Sequence, residues 1–343
     1  MNANLLISIS GNGIARAICG ANGAWQVEFP ITGQDIRCLA ADPRHPHLLF
    51  AGTQGQGVLC SKDAGKTWHP GGLAGRIVKS IAVSAHPGGN ATGSGMVFAG
   101  TKSPASIFLS EDGGENWVEL EAFRRIRSRW LWFSPAEPPF TAYVQGIALS
   151  PDDPNVLIAG IEAGAVVRSQ DGGKTWSDHR PGAIRDCHTI TFHATNGEWV
   201  YEGGGTGPAY SRDGGQTWRQ PKGGLDRRYC WAVATDPLHP EVWYVSASPG
   251  PLKAHSKDNA QAYIYRSVGG ALWEKLNGGL PQPLDSMPYA LVTNRYATGH
   301  LYAGLGNGDV WFSEDYGDHW KKLPFNLSGI HTALLLITVS SDR

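Results

Sequence analysis

The chain has 343 residues, a net charge of −1 and 17% charged residues. This near-neutral balance excludes a general electrostatic attraction to nucleic acid or to an anionic membrane surface, and we expect neither as a partner. The 45 glycines, 22 prolines and 13 tryptophans predict many short strands joined by tight turns, with little helix.

The amino-terminal stretch, residues 1–17, lacks the basic start and the uninterrupted apolar run of a secretory signal. The sequence has five cysteines, an odd number, and no two of them have C-x-x-C spacing. Both features predict a cytoplasmic protein with reduced thiols, while a secreted form whose leader has been removed is the alternative.

A repeated pattern, S-x-D-x-G-x-T-W with variations, organises the whole sequence. Its copies lie at residues 61–68, 110–117, 169–176, 211–218 and 313–320, and two degenerate copies end at Trp25 and Trp273. The seven tryptophans that end these copies are about 40 to 60 residues apart. A period of this length, with four short strands per unit, is typical of a β-propeller.

The repeating unit is clearest over residues 36–70. The segment IRCLAADP predicts an inner strand, HLLFAGT a second, GVLCSKD a third and KTWHPG a fourth. The same order predicts six blades, at residues 36–70, 78–121, 143–180, 187–221, 230–277 and 287–323.

The two ends of the chain together supply one more blade. Residues 2–29 contain second, third and fourth strands, and residues 330–340 contain a first strand with nothing after it. Pairing these segments closes the ring and removes exposed sheet edges. The predicted fold is therefore all-β: one domain over residues 1–343, a seven-bladed β-propeller of four-stranded antiparallel blades.

The repeated motif is interpreted as a structural turn between the third and fourth strands. Its aspartate accepts local backbone N–H bonds, its glycine adopts positive φ, and its tryptophan fills space toward the next blade. A catalytic group would not be needed five times around one ring.

The motif resembles the Asp-box (BNR) repeat of the sialidase-like propellers. That group includes sialidases, some xyloglucan-cleaving hydrolases, sortilin-type receptors and photosystem II assembly factors. The resemblance covers essentially the whole chain and implies the fold, but its members have unrelated functions. A true sialidase is disfavoured, because the F/Y-R-I-P motif of that family is missing.

One column of residues near the start of the inner strands predicts a ligand pocket. It comprises polar or aromatic residues two positions before the first aliphatic core residue: Arg37, Lys79, Gln145, His188, Trp231, Tyr289 and His331. Because side chains alternate along a strand, we expect these residues to lie on the same face of the sheet as that core residue, one step nearer the mouth of the propeller. The column has cations and no carboxylate, so it favours an anionic ligand such as a carboxylate or phosphate, with Arg37 as a bidentate clamp.

Two glutamates are further candidates. Glu202 stands where the second strands of other blades have a small alanine, and Glu162 lies on the predicted ligand-face loop of a neighbouring blade. A carboxylate at a packed position is costly unless it is paired or used, so Glu202 is either a general acid or base or part of an ion pair.

Two insertions break the repeat. Residues 121–142 contain four arginines beside Trp130, Trp132 and Phe133, and residues 249–262 contain His255. Long loops in a compact domain are usually functional or mobile. We expect them to form lids, to stack on sugar rings, or to contact a protein partner or a second copy of the chain.

These residues leave several functions open, with an anionic small molecule or an oligosaccharide as the expected ligand and no cofactor or metal. In a lyase acting on a uronic acid, Arg37, Lys79 or Gln145 would neutralise the carboxylate, His188 would abstract the α-proton and Tyr289 would protonate the leaving oxygen. A hydrolase would use Glu202 with Glu162. The alternatives are a non-catalytic scaffold that binds a protein through its basic loops and a carbohydrate-binding module.

Overall fold

A computed structural model describes residues 2–9, 13–20, 22–88, 95–221 and 223–340 of the chain. The chain divides into two compact units. The first unit comprises Met1–Gly33, Gly203–Pro208 and Gln220–Arg343, and the second comprises Gln34–Glu202 and Ala209–Arg219. Within the described ranges, the helices are too short or too polar to cross a membrane.

Nearly all of the regular structure is antiparallel sheet. The four blades that come first in the chain have strands at Asn2–Ile9, Gly13–Cys19, Trp25–Thr32 and Leu334–Ser340; at Ile36–Ala41, Leu49–Thr53, Val58–Ser61 and His69–Pro70; at Ile77–Pro87, Gly95–Lys102, Ile107–Ser110 and Val118–Glu119; and at Val144–Leu149, Leu157–Ile161 and Val166–Ser169. The other three have strands at Cys187–His193, Asn196–Gly204 and Gly207–Ser211; at Tyr229–Thr235, Val242–Ser248, Tyr263–Val268 and Glu274–Leu276; and at Pro288–Thr293, Leu301–Leu305, Asp309–Ser313 and Lys321–Asn326.

The terminal blade confirms the predicted closure by both ends of the chain. The strand Leu334–Ser340 pairs with Asn2–Ile9, with Leu335 opposite Ile7, and is the edge strand that begins a four-stranded sheet, as the first strand of each other blade does. The fold class, a seven-bladed β-propeller, is therefore confirmed. In two blades the fourth strand is reduced to isolated contacts, such as the 2.8 Å hydrogen bond from the Ser177 amide to the Arg168 carbonyl.

A β-bulge recurs near the start of the first strand of several blades. Ile36 is opposite Thr53 and Cys38 is opposite Gly52, so Arg37 is an extra residue. The register shifts in the same way around Lys79, Gln145, Trp231 and Tyr289. A bulge redirects a side chain, and the simple alternation assumed from the sequence is interrupted at these positions.

Close packing between neighbouring blades explains the small residues beside this column. The Ser80 hydroxyl donates a 2.8 Å hydrogen bond to the Val144 carbonyl of the next blade. A Cβ on Gly52 of the second strand would lie 2.5 Å from Cys38 Sγ and 2.7 Å from the Val78 carbonyl oxygen. Only glycine fits there, which accounts for the repeated Ala-Gly pair in the second strands.

The Asp-box forms a hydrogen-bonded turn, as predicted. In the first copy, Asp63 accepts bonds from the Thr67 amide at 2.9 Å and the Thr67 hydroxyl at 2.6 Å, and the Ser61 hydroxyl accepts the Gly65 amide at 2.8 Å. Trp68 Nε1 donates to the Gly65 carbonyl. The aspartates at the equivalent positions 112, 171, 213 and 315 make corresponding bonds.

The insertion 121–142 begins with two 3-10 helices, Glu121–Arg125 and Arg127–Leu131. Phe123 and Trp132 are buried in the core of the second unit, whereas Trp130 is 82% exposed. The first half of this insertion is thus packed against the blades. In the insertion 249–262, the short helix Pro251–Ala254 buries Ala254 in the core of the first unit.

Candidate functional site

The predicted pocket residues belong to both units. Arg37, Lys79, Gln145 and His188 lie in the second unit, and Trp231, Tyr289 and His331 lie in the first. A pocket shared by all seven residues stays a prediction.

In the second unit, cationic side chains surround a single carboxylate. Glu137, on the insertion 121–142, accepts a 2.9 Å hydrogen bond from Lys79 Nζ and lies 3.3 Å from Arg37 Nη1 and 3.3 Å from Lys102 Nζ. Lys102 Nζ also donates to the backbone carbonyl of Glu137 at 3.0 Å. Both ammonium groups lie over the ring of Tyr143, with Lys79 Nζ 4.4 Å from its centroid. Arrangements of this kind favour a negative charge at their centre.

The titration of these groups follows from burial and charge. Burial by itself raises the pKa of Glu137, but the hydrogen bond from Lys79 and the charges of Lys79, Arg37 and Lys102 lower it to about 2. Burial lowers the pKa of Lys79, and the bond to Glu137 partly offsets that shift. Glu137 is therefore ionised at neutral pH, as the surrounding cations require.

A second group of side chains, Glu162, Asp186 and His188, lies in the same unit. One oxygen of each carboxylate and one ring nitrogen of His188 are all within 4.8 Å of one another. His188 Nε2 is 3.6 Å from Asp186 Oδ2, and the side chain of His188 is buried while that of Asp186 is 37% exposed. The Glu162 backbone is fixed by a 3.2 Å hydrogen bond from its amide to the Tyr143 carbonyl.

The two carboxyl groups differ in their surroundings. Glu162 is 9% exposed, and burial together with the charge of Asp186 raises its pKa to about 8, although Lys79 opposes the shift. A buried, protonated carboxyl beside a more exposed one is the arrangement in which one group donates a proton and the other acts as base or nucleophile.

The same three residues offer donors that suit a divalent cation, namely two carboxylates and an imidazole. The sequence predicted no metal site. Glu162 lies 24 residues before Asp186, and a separation of that kind carries no recognisable ligand spacing. The acid–base role and a metal-binding role are alternatives, and the experiment proposed below separates them.

Glu202 is completely buried inside its blade. It is 0% exposed, and its Oε2 accepts a 2.9 Å hydrogen bond from the Ile184 amide. Burial raises its pKa to about 8, against the opposing effects of Ile184 and of the Cys187 side chain. Glu202 thus has no exposed surface in this structure, and the catalytic role considered for it stays a prediction.

In the first unit, aromatic side chains cluster around His255. The ring of Trp231 is 5.2 Å from those of His255 and Tyr289, edge to face in both cases, and the His255 and Tyr289 rings are stacked at 5.9 Å. His331 is further away, 6.5 Å from Tyr289 between ring centroids. Aromatic faces of this kind bind sugar rings by stacking, in line with the binding role predicted for Trp231 and His255.

Hydrogen bonds fix the orientation of this cluster. Tyr289 Oη donates to the Ala254 carbonyl at 3.0 Å and lies 2.7 Å from His255 Nδ1. His255 Nε2 lies 3.0 Å from Tyr229 Oη, so the imidazole is held between two tyrosine hydroxyls. Burial raises the pKa of Tyr289 to about 12. Its hydroxyl is held by two neighbours, and the role predicted for Tyr289 as the acid of a lyase stays a prediction.

Sequence analysis missed Asp186, Tyr143 and Lys102. A signal for them exists in the register of the repeat. Asp186 and Tyr143 lie two residues before His188 and Gln145 of the predicted column, and Lys102 and Glu162 both lie three residues after the small alanine of a second strand. Extending the column comparison by two or three positions would have found them.

The fold and the repeat define a class: the chain is a seven-bladed β-propeller with Asp-box repeats. Residues 209–220 match the BNR/Asp-box repeat family. A curated relative, a probable oligoxyloglucan-reducing end-specific xyloglucanase from Neosartorya fischeri, is 20% identical over 95% of this chain and 56% of its own length. The chain thus spans about half the length of that relative.

Solved structures show the same fold. An ancestral GH74 enzyme is 19% identical, with a TM-score of 0.64 over 90% of this chain and 39% of its own. YCF48, solved bound to D1 peptide, is 14% identical, with a TM-score of 0.58 over 90% of this chain and 93% of its own. At these identities the likeness concerns the fold alone.

Proposed function

We propose that the protein is a glycoside hydrolase in which Glu162 is the general acid and Asp186 the nucleophile. The observation that carries this proposal is the close pair itself: a buried Glu162 with its pKa raised to about 8, with one oxygen within 4.8 Å of an oxygen of the more exposed Asp186. Retaining glycosidases hold their carboxyl groups about 5–5.5 Å apart and inverting ones about 6.5–9.5 Å apart, so this spacing favours retention.

In this mechanism Glu162 donates its proton to the glycosidic oxygen as the bond to the leaving sugar breaks. Asp186 attacks the anomeric carbon and forms a glycosyl ester, and Glu162, now ionised, takes a proton from the water that hydrolyses the ester. His188, with Nε2 3.6 Å from Asp186, positions that carboxylate. The xyloglucanase named for the curated relative supports a glycan as the substrate class.

We propose further that the glycan is acidic, with Arg37 and Lys79 binding its carboxylate. Both side chains already bind a carboxylate, that of Glu137, in the unit that holds Glu162 and Asp186. A uronic acid would present the same group. A lyase using His188 as base is less well supported, because His188 is buried behind Asp186.

The test measures reducing-sugar release from xyloglucan oligosaccharides and from uronate-containing oligosaccharides. E162Q and D186N should lower kcat/KM by at least about 10²-fold, while E121Q, an exposed glutamate of the insertion 121–142, should match the wild type. In the wild type, kcat/KM should fall above pH about 8, where Glu162 loses its proton, and NMR should show retention at the anomeric carbon.

Three results would contradict this assignment. The first is activity of E162Q and D186N within about twofold of the wild type, since general acid catalysis is worth far more than that. The second is inversion at the anomeric carbon. The third is loss of activity in EDTA with recovery on adding a divalent cation, which would make Glu162, Asp186 and His188 metal ligands.

A second candidate function is binding of a protein through the insertion 121–142. The observation that favours it is the exposure of large apolar side chains there: Trp130 is 82% exposed, and Leu131 and Phe133 are each 54% exposed. Such groups are enriched in interfaces. Light scattering on the purified chain, with W130E/F133E as the variant, tests a second copy as the partner; a monomer at all concentrations in both forms excludes self-association.

A further inference from the structure

The carboxylate bound by Arg37, Lys79 and Lys102 belongs to the chain itself. Glu137 brings one negative charge to three cationic side chains, of which Lys102 is fully buried and Lys79 is 11% exposed. Arg37 also pairs with Asp35 at 2.7 Å. Burying ammonium groups is costly unless an anion accompanies them, so this part of the fold requires a carboxylate at this position.

The segment that carries Glu137 makes few other buried contacts. Of the seven residues 135–141, six are exposed and Glu137 alone is half-buried. A 2.8 Å hydrogen bond between the hydroxyls of Ser103 and Thr141 is a further attachment, at the carboxyl end of this segment. Phe140, in the same segment, is 61% exposed. Lys102 Nζ also donates to the Glu137 backbone carbonyl at 3.0 Å, so the cations hold residues 135–141 through both the side chain and the backbone of Glu137, and releasing this residue removes little buried apolar surface.

The cations belong to the blades, not to this segment. Arg37 and Lys79 stand at the bulges of two first strands, and Lys102 ends the second strand Gly95–Lys102. Their positions are set by the sheet whether or not Glu137 is in place. The three cations therefore lie on strands of the blades, whereas Glu137, the carboxylate that they bind, lies on an exposed loop.

We propose that Arg37, Lys79 and Lys102 form the carboxylate subsite for a sugar acid, and that Glu137 occupies this subsite as an internal competitor that substrate displaces. The inference deepens the proposed function, on whose acidic substrate it rests, and it adds Lys102 and Glu137 to the residues that determine binding. Glu162 lies close enough to influence both Lys79 and Glu137 electrostatically, which places the subsite near the carboxyl pair. Displacement of Glu137 would leave the cations to the substrate and release residues 135–141.

The test measures binding of glucuronic acid by titration calorimetry, with glucose as the neutral comparison. E137Q keeps the shape of the side chain but removes its charge, so glucuronic acid should bind at least about tenfold more tightly than to the wild type. The factor of about ten applies when the Glu137 carboxylate occupies the subsite in about nine-tenths or more of the wild-type molecules. Adding K79M to E137Q should abolish the gain, and E121Q should bind like the wild type.

A folded E137Q that binds glucuronic acid no more tightly than the wild type would overturn the proposal. A gain in affinity for an acidic peptide but not for glucuronic acid would overturn its assignment to a sugar acid. Binding does not require hydrolysis, so E162Q and D186N should bind glucuronic acid normally even if they are inactive. The subsite and the proposed reaction can therefore fail independently.

If E137Q does not stay folded in chloride buffer, thermal unfolding of E137A provides the same information. Truncation to alanine leaves space where a small carboxylate can bind the same cations. Acetate or glucuronate should then raise the Tm of E137A above its value in chloride, and by more than the same anion raises the Tm of E121Q, in which Glu137 still competes. A Tm of E137A that is the same in acetate and in chloride would overturn the proposal.

Discussion

The buried carboxyl of Glu202 should make the stability of the fold depend on pH. In the folded protein burial raises its pKa to about 8, whereas an unfolded glutamate titrates near about 4.3. Between these values the folded chain binds a proton that the unfolded chain has lost, so the free energy of unfolding falls as the pH rises, and the loss is complete above about 8.

The size of this effect follows from the shift. The full difference of about 3.7 between the two pKa values corresponds to at most about 5 kcal/mol, of which the part lost between pH 5.5 and pH 8.5 is about 3 kcal/mol. E202Q cannot ionise, and its amide oxygen can still accept the Ile184 N–H that Glu202 Oε2 accepts. The wild type should therefore lose about 3 kcal/mol more stability than E202Q between pH 5.5 and pH 8.5.

Urea unfolding of both proteins at the two pH values provides the measurement. Any constant cost of the amide cancels in the difference between pH values, and the titration of Glu162 is common to both proteins and cancels as well. Glu198→Gln, an exposed position on the same strand, should behave as the wild type. The reasoning would be refuted if the wild type and E202Q lost the same stability between the two pH values, within about 1 kcal/mol. Glu202 would then be ionised in the folded protein, or a neighbouring group would offset the cost of ionising it.

Two further predictions concern the repeat. Gly52→Ala should destabilise the protein by about 2 to 3 kcal/mol in urea unfolding, because the new Cβ meets Cys38 Sγ at 2.5 Å, whereas Gly55→Ala, with nothing within 4 Å, should change little. Equal effects of the two would contradict the close approach of the blades. Asp63→Ala removes the acceptor of the Thr67 amide and hydroxyl and should lower the free energy of unfolding by about 1 to 3 kcal/mol. Lys66→Ala, at an exposed position of the same turn, should change it little. An equally small effect of Asp63→Ala would show that the turn does not need its carboxylate.

The fold could be predicted from the sequence because the information for it is repeated. Each copy of the Asp-box predicts the same hairpin between a third and a fourth strand. The unmatched strands at the two ends of the sequence then identify the shared blade without any knowledge of long-range contacts. The pairing of Asn2–Ile9 with Leu334–Ser340 joins the two ends of the sequence and was still predictable, because it completes the blade whose strands the two ends share.

The candidate site was only partly predictable, for the opposite reason. Its residues occur once each, and the repeat supplies their positions but not their partners. Glu162 was recognised, but Asp186 was not, and the charge that Lys79 requires came from Glu137 in an insertion that follows no period. The bulge at Arg37 and at its equivalents also interrupts the alternation from which side-chain directions were inferred.

The same register therefore carries opposite charges in two neighbouring blades. Three positions beyond the small alanine, one blade has Lys102 and the next has Glu162, and these two side chains contribute to the two charged groups of the second unit. Because the sheet fixes the backbone at this register, a change of residue alters charge without moving the scaffold. Lys102→Met removes one of the three cations around Glu137 and should weaken the binding of glucuronic acid by about tenfold or more in titration calorimetry; unchanged binding to the folded variant would mean that Lys102 does not contribute to the carboxylate subsite.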